Sequence, residues 1–251
     1  MTKTMKVLGI ESASMVASAA IVEDGNLIAE YTVNHKKTHS QTLLPMIDEI
    51  VRMTEANLQE VDGIAISAGP GSFTGLRIGS ATAKGLGLAL DKPLLHIPTL
   101  DAMAWQLWGC RDLVCPIMDA RRSQVYGGAY DCASDELPRA VIPADAVDLK
   151  DFLVAVQKAV EDENTPWKRL VFLGDGVPVG RTVIEQTLTC PYTFAPAHVN
   201  RQRAAAVAAL GEVYLEKGWT EKAEEHSPDY FRMSQAERER KEKEALKDGN
   251  C

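Results

Sequence analysis

Residues 113–131 read LVCPIMDARRSQVYGGAYD, and they restart a pattern that the chain has already run once. The apolar run 113–118 has the length of a buried strand and ends on an acid, Asp119. Further strands are expected at 124–131 and about 138–142, a helix over about 145–162, and a strand at 169–173. That strand enters the turn Gly174-Asp175-Gly176, and helices are expected over about 178–187 and 200–217. The first half has the same grammar. Residues 5–12 (MKVLGIES) form a short apolar strand ending at Glu11, 16–22 (VASAAIV) follows, and Glu23-Asp24-Gly25-Asn26 turns into 27–33 (LIAEYTV). A helix over 38–56, a strand over 61–68, a glycine-rich turn and a helix through about Leu90 come next. Residues 94–97 make a short strand, and Thr99-Leu100-Asp101 reads as an N-cap opening another helix. A repeated order of three strands, helix, strand, helix predicts two α/β lobes with a cleft between them. The lobes are expected at 1–104 and 105–233, the last helix being free to cross back, with a charged tail at 234–251.

Bulk properties set limits. The chain has 251 residues, 45% hydrophobic and 25% charged, enough for two lobes with real cores. No apolar run reaches the roughly 20 residues of a membrane span, and the N-terminus lacks the h-region of a signal peptide, so a cytoplasmic location is expected. The five cysteines are odd in number and form no C-x-x-C, which favours reduced thiols over a zinc site or a disulfide framework. A net charge of −8 argues against strong direct nucleic-acid binding. In the tail, Glu237 with Lys241 and Glu239 with Lys243 suit a solvated helix.

The turn AGPGSFTGLRIG at 68–79 is neither a Walker A loop nor a dinucleotide fingerprint. Two readings stand. Gly69, Gly71 and Ser72 can present backbone N–H groups to an anion at a helix start, or they can form a tight corner. Arg77 opposes the helix dipole there, so an anionic partner is expected, a ligand in the first reading and an ordinary salt bridge in the second. Ser72 and Thr74 read as N-capping residues rather than nucleophiles. In the same helix Gly75, Gly79, Ala83 and Gly87 stand at i,i+4 spacing, so another backbone must approach closely. The helix over 38–56 carries Leu43, Leu44, Met46, Ile47, Ile50, Val51 and Met53, too wide an apolar set for one stripe. Together the two helices read either as a docking face for a second chain or as packing within the lobe. His35 and His39 suit exposed or capping roles better than a metal site.

The segments VLGIES (7–12), HSQTLLP (39–45), AGPGSFTGLRIG (68–79), AKGLGLAL (83–90), PIMDARRSQVYGGAYD (116–131) and PDYFRM (228–233) resemble the bacterial TsaB family, also called YeaZ, over residues 5–233. The resemblance implies an actin/sugar-kinase/Hsp70-like (ASKHA) α/β fold, duplicated and two-lobed. It implies a non-catalytic partner subunit of the tRNA N6-adenosine threonylcarbamoyltransferase complex. The partners it implies are a larger paralogue, TsaD, which carries the transfer, and a small ATPase, TsaE. Pairing is expected around the first two N-terminal-lobe helices, with Leu43, Met46, Ile47, Ile50, Val51, Gly75, Gly79, Ala83 and Gly87 at the interface, and with a homodimer through the same helices when the chain is alone. The paralogue's N-H-x-E-G-H metal motif is replaced here by Pro98-Thr99-Leu100-Asp101-Ala102-Met103, with Thr99 and Met103 standing for its histidines. No metal and no required cofactor follow, and any nucleotide binding is weak or vestigial, in a cleft formed by Glu11, Gly69, Gly71, Ser72, Arg77, Asp119 and Arg121. The alternative is an active ATPase or kinase of the same fold, using Glu11 and Asp119 across the cleft. A peptidase has no nucleophile–base set to support it.

Overall fold

The computed structural model describes residues 4–134 and 137–232. The tail expected at 234–251 lies outside the described residues. The first sheet consists of β1 (Lys6–Glu11), β2 (Val16–Glu23), β3 (Asn26–Asn34), β4 (Gly63–Gly69) and β5 (Leu94–Pro98), in the order β3-β2-β1-β4-β5. The second consists of β6 (Leu113–Arg121), β7 (Gln124–Asp131), β8 (Arg139–Asp148), β9 (Leu170–Leu173) and β10 (Tyr192–Phe194), in the order β10-β9-β6-β7-β8. Written from the same edge, the two orders are identical. In each sheet the first three strands form an antiparallel meander and the last two join in parallel, with Val7 opposite Gly63 and Leu113 opposite Leu170. The duplication read from the sequence is present strand for strand.

Helices cover both faces of the first sheet. α1 (His39–Thr54) and α2 (Phe73–Leu90) lie on one face, where Leu43, Ile47, Ile50 and Ala83 pack on Leu8, Ile10, Ile64 and Ile66. On the other face Val7, Ala65, Leu95 and Ile97 meet Ala102 of α3 (Thr99–Trp105) and Val207 and Leu210 of α6 (Ala204–Glu216). β1 and β4 are buried on both sides, which is why they read as continuous apolar runs. The last helix therefore does cross back to the first sheet. A side chain at Gly9 would strike the backbone of Ala204 and Ala208, so glycine there lets α6 sit directly on β1.

On the second sheet α4 (Leu149–Glu161) and α5 (Gly176–Thr187) cover Leu113, Cys115 and Ile117 with Phe152, Leu153, Val156 and Ile184. The opposite face is the seam of the molecule. Val114, Met118, Tyr130 and Leu173 pack there with Leu100, Met103 and Ala104 of α3 and with Ala13 and Leu76 of the first half. Residues 219–232 then run back along the first sheet: Leu94 and Glu221 exchange both backbone hydrogen bonds, at 2.9 and 3.0 Å, and Asp229 N–H donates to Ala68 O at 2.7 Å.

Three local expectations are corrected. α4 starts at Leu149, capped by the Asp148 side chain, because β8 runs on to Asp148 as an edge strand, which tolerates the missing N–H of Pro143. The short strand β10 was not expected. Thr99 is the first helical residue of α3, with Pro98 in the cap position and no side-chain cap, so the N-capping role expected of Thr99 falls away.

Candidate functional site

The predicted cleft residues gather at the heads of β1, β4 and β6, in two separate groups. In the first, Glu11 ends β1 and is 1% exposed. One of its oxygens accepts the Ala13 N–H at 2.6 Å. Burial pushes its carboxyl up to about 7; the bonds from Ala13 and Ser67 oppose the rise, and the charge of Asp175 adds to it. In the second, Asp119 accepts the Arg121 N–H at 2.8 Å and pairs with the Arg121 guanidinium at 3.0 Å. This group lines a cavity of about 540 Å³ with Gln124, Asp148, Lys150 and Gly176. Arg121, Arg122 and Ser123 at its rim hold φ of 64°, 57° and 62°, left-handed values that cost non-glycine residues about 1–2 kcal/mol each.

Asp175 joins the two groups, and the sequence reading had not singled it out. Its carboxyl is raised chiefly by burial, it accepts the Asp119 N–H at 3.3 Å, and it is the acid whose charge bears on Glu11. Asp175 thus touches on both Glu11 and Asp119, the two acids expected to face each other across the cleft. The signal was present: Asp175 follows the fourth strand of the second copy inside a glycine turn, at the place the glycine-rich turn holds in the first.

At the glycine-rich turn the close approaches are those of a tight corner. Gly69 has φ +132° and faces the Asp229 carbonyl, which a side chain at Gly69 would strike. Gly71 lies against the Ala13 carbonyl, which takes the Ser72 N–H at 2.6 Å. Ser72 Oγ accepts the Gly75 N–H at 3.3 Å, the N-cap expected of it. The Ser72 N–H is thus spent on the chain's own backbone, and the glycines answer to close approach. Among the described residues Arg77 meets no carboxylate: its guanidinium lies 4.1 Å from the Phe73 ring and donates to Tyr230 Oη at 3.3 Å. Tyr230 in turn stacks on Phe73 at 4.8 Å.

The expected interface set is corrected as well. Leu43, Met46, Ile47 and Ile50 are buried against the first sheet, and Val51 is half-buried. Gly75, Gly79, Ala83 and Gly87 also face inward: side chains at Gly75 and Gly79 would strike Ser12, and one at Gly87 would crowd Ala223 and Leu94. All but the half-buried Val51 are taken up by the lobe's own core and form no outward docking face. The outward faces carry Leu44 and Met53 on α1, 53% and 68% exposed, and Leu88 on α2, 57% exposed. α2 also presents Ala81, Gly85 and Ala89 to solvent, a second small-residue row at i,i+4. A side chain at Gly85 would meet nothing within 4 Å.

Thr99 is fully buried, its Oγ1 without a partner among the described residues, and Met103 packs in the seam against Gly174. Neither offers an imidazole. Asp101, between them, accepts the Tyr130 hydroxyl at 2.8 Å. Among the described residues no helix is long and apolar enough to cross a membrane.

A protein-family model described as TsaD, tRNA N6-adenosine threonylcarbamoyltransferase, matches residues 26–240. The tRNA threonylcarbamoyladenosine biosynthesis protein TsaB of Bacillus subtilis is 32% identical over 235 residues, which cover 93% of this chain and 96% of the relative. TsaB of Escherichia coli is 35% identical over 129 residues, covering 50% of this chain and 55% of the relative. Among solved structures, YeaZ from Pseudomonas aeruginosa superposes with a TM-score of 0.72 at 24% identity, covering 90% of this chain and 99% of that one, a likeness of fold. The repeated meander with two parallel strands and crossing helices is the ASKHA-like α/β fold. With a family model spanning most of its length and a relative matched nearly end to end, the chain belongs to the TsaB (YeaZ) family.

Proposed function

We propose that this chain is a non-catalytic partner subunit in the formation of threonylcarbamoyladenosine in tRNA. It pairs with a TsaD-like paralogue that carries the transfer, and a TsaE-like ATPase joins the pair. The observation that carries this reading is the outward face of α2. Gly85 sits in the interior of a helix, where glycine costs about 1 kcal/mol relative to alanine, and nothing among the described residues requires it. A partner backbone approaching between Ala81 and Ala89, rimmed by Leu44, Met53 and Leu88, supplies the missing reason. When the chain is alone, the same face suits a homodimer.

The site chemistry supports an accessory role. The positions corresponding to the paralogue's histidines are packing residues, and a hydroxyl and a thioether do not replace two imidazoles on a catalytic metal. The reading needs no cofactor in this chain, and its negative charge leaves tRNA binding to the partners. The acids Glu11, Asp119 and Asp175 are what favour the alternative, an ATPase or kinase; magnesium–ATP hydrolysis abolished by Asp119→Ala would establish it.

The test is reconstitution. With the chain, the paralogue and the ATPase purified, tRNA threonylcarbamoylation is assayed with each omitted in turn. Modification is expected to require both this chain and the paralogue. Modification by this chain alone, or undiminished modification without it, overturns the proposal.

A further inference from the structure

We propose that His96, Glu221 and His226 form a binding site for a borderline transition-metal dication, with zinc as the reference case. The site lies on the first sheet, apart from the Glu11 and Asp119 groups and from the outward face of α2.

Each residue is placed by the backbone. His96 is on β5, where its neighbours Leu95 and Ile97 face α6 and α3, so its own side chain points to the opposite face. Glu221 is fixed by its two backbone hydrogen bonds with Leu94. His226 follows a turn, and Lys84 of α2 donates to its carbonyl at 3.0 Å. One potential ligand atom from each of the three lies within 4.8 Å of the other two. Glu221 Oε1 is 2.5 Å from His226 Nδ1 and 3.6 Å from His96 Nδ1, and the two imidazole rings are 5.5 Å apart.

Two further observations support a ligand. His226 is 2% exposed, so its Nδ1 meets Glu221 Oε1 away from solvent. Asp229 Oδ2 accepts from His96 Nε2 at 2.9 Å. That bond holds the proton on Nε2 and turns the Nδ1 lone pair towards Glu221. A carboxylate behind an imidazole in this way is the arrangement that orients metal-bound histidines.

Two imidazole nitrogens and one carboxylate suit zinc and its neighbours in the first row; magnesium and calcium prefer oxygen alone. Two carboxylates, Glu221 and Asp229, outweigh the single ammonium of Lys84. The side chains of His96 and Glu221 are 29% and 27% exposed, which leaves a fourth position to solvent. A bound ion would tie β5 to the returning segment whose later residues, Phe231 and Arg232, reach the other lobe.

The full chain, stripped with chelator, is titrated with zinc alone and followed by calorimetry and thermal melting; cobalt(II) replaces zinc for visible spectroscopy. One equivalent per chain is expected, with a saturating rise in Tm and cobalt bands free of sulfur charge transfer. His96→Gln and Glu221→Gln, both at partly exposed positions that leave folding intact, each lose affinity beyond the ~10–100-fold typical of outer-shell changes, and Asp229→Asn loses within that range. No zinc-dependent shift in the wild type, or binding that survives both ligand variants, overturns the proposal.

Discussion

Glu11 carries its proton at pH values where a free glutamate has lost it. Its carboxyl titrates near 4.5 when unfolded and at about 7 in the fold, chiefly because burial penalises the charge. Between these values the folded chain holds a proton that the unfolded chain has released, so this residue's contribution makes stability fall as pH rises from about 4.5 to 7. Glu11→Gln keeps an oxygen for the Ala13 N–H and removes the titration. Unfolding measured at pH 4 and pH 8 is expected to find the variant close to wild type at the lower pH, and more stable by up to about 3 kcal/mol at the higher. A difference independent of pH would contradict the assignment. Arg77 shows what sequence cannot tell at this scale. A cation in the first turns of a helix calls for compensation, and that much was legible; that the compensation is the faces of Phe73 and Tyr230 depends on a residue 153 positions away.

At the scale of elements, α2 separates what spacing reveals from what it conceals. Small residues at i,i+4 announce a close approach, and α2 carries two such rows. The Gly75, Gly79, Ala83 and Gly87 row is used up by Ser12, Ile66, Ala223 and Leu94 of its own lobe. The Ala81, Gly85 and Ala89 row faces outward. Periodicity fixes the rows but not which of them faces the sheet, so spacing alone leaves the first row open between packing and docking. The same ambiguity holds on α1, where Leu43, Met46, Ile47 and Ile50 are buried and Leu44 and Met53 are exposed. Substitution distinguishes the rows. Gly79→Leu must displace Ser12, whose hydroxyl donates to Gly75 O at 3.0 Å, and is expected to destabilise the isolated chain by roughly 1–3 kcal/mol in denaturant melts. Gly85→Ala, with open space around it, is expected to stabilise the isolated chain by up to about 1 kcal/mol. Equal effects at both positions would contradict the assigned faces.

Across the whole molecule, the duplicated grammar was legible because buried strands read as apolar runs and turns as glycine and acid clusters. The return of residues 204–232 to the first sheet was foreseen only for its helix. Its second part is a strap: Tyr230 stacks on Phe73 of the first half, the Phe231 ring meets Tyr126 of the second edge-on, and Arg232 donates to Ala120 O. Nothing in local sequence announces a contact between lobes. Tyr230→Ala removes one aromatic pair and one cation–π neighbour, and equilibrium unfolding is expected to show a loss of about 1–2 kcal/mol. The central claim is that this chain works by pairing, through the outward face of α1 and α2, with a catalytic paralogue. Its most direct test is sedimentation of the chain with a TsaD-like paralogue, comparing wild type with Gly85→Leu after melting curves have shown the variant folded. The account predicts a tight wild-type pair and a variant that melts at or above the wild-type temperature yet pairs at least tenfold more weakly. A paralogue that ignores the wild type, or binds Gly85→Leu as tightly, would contradict it.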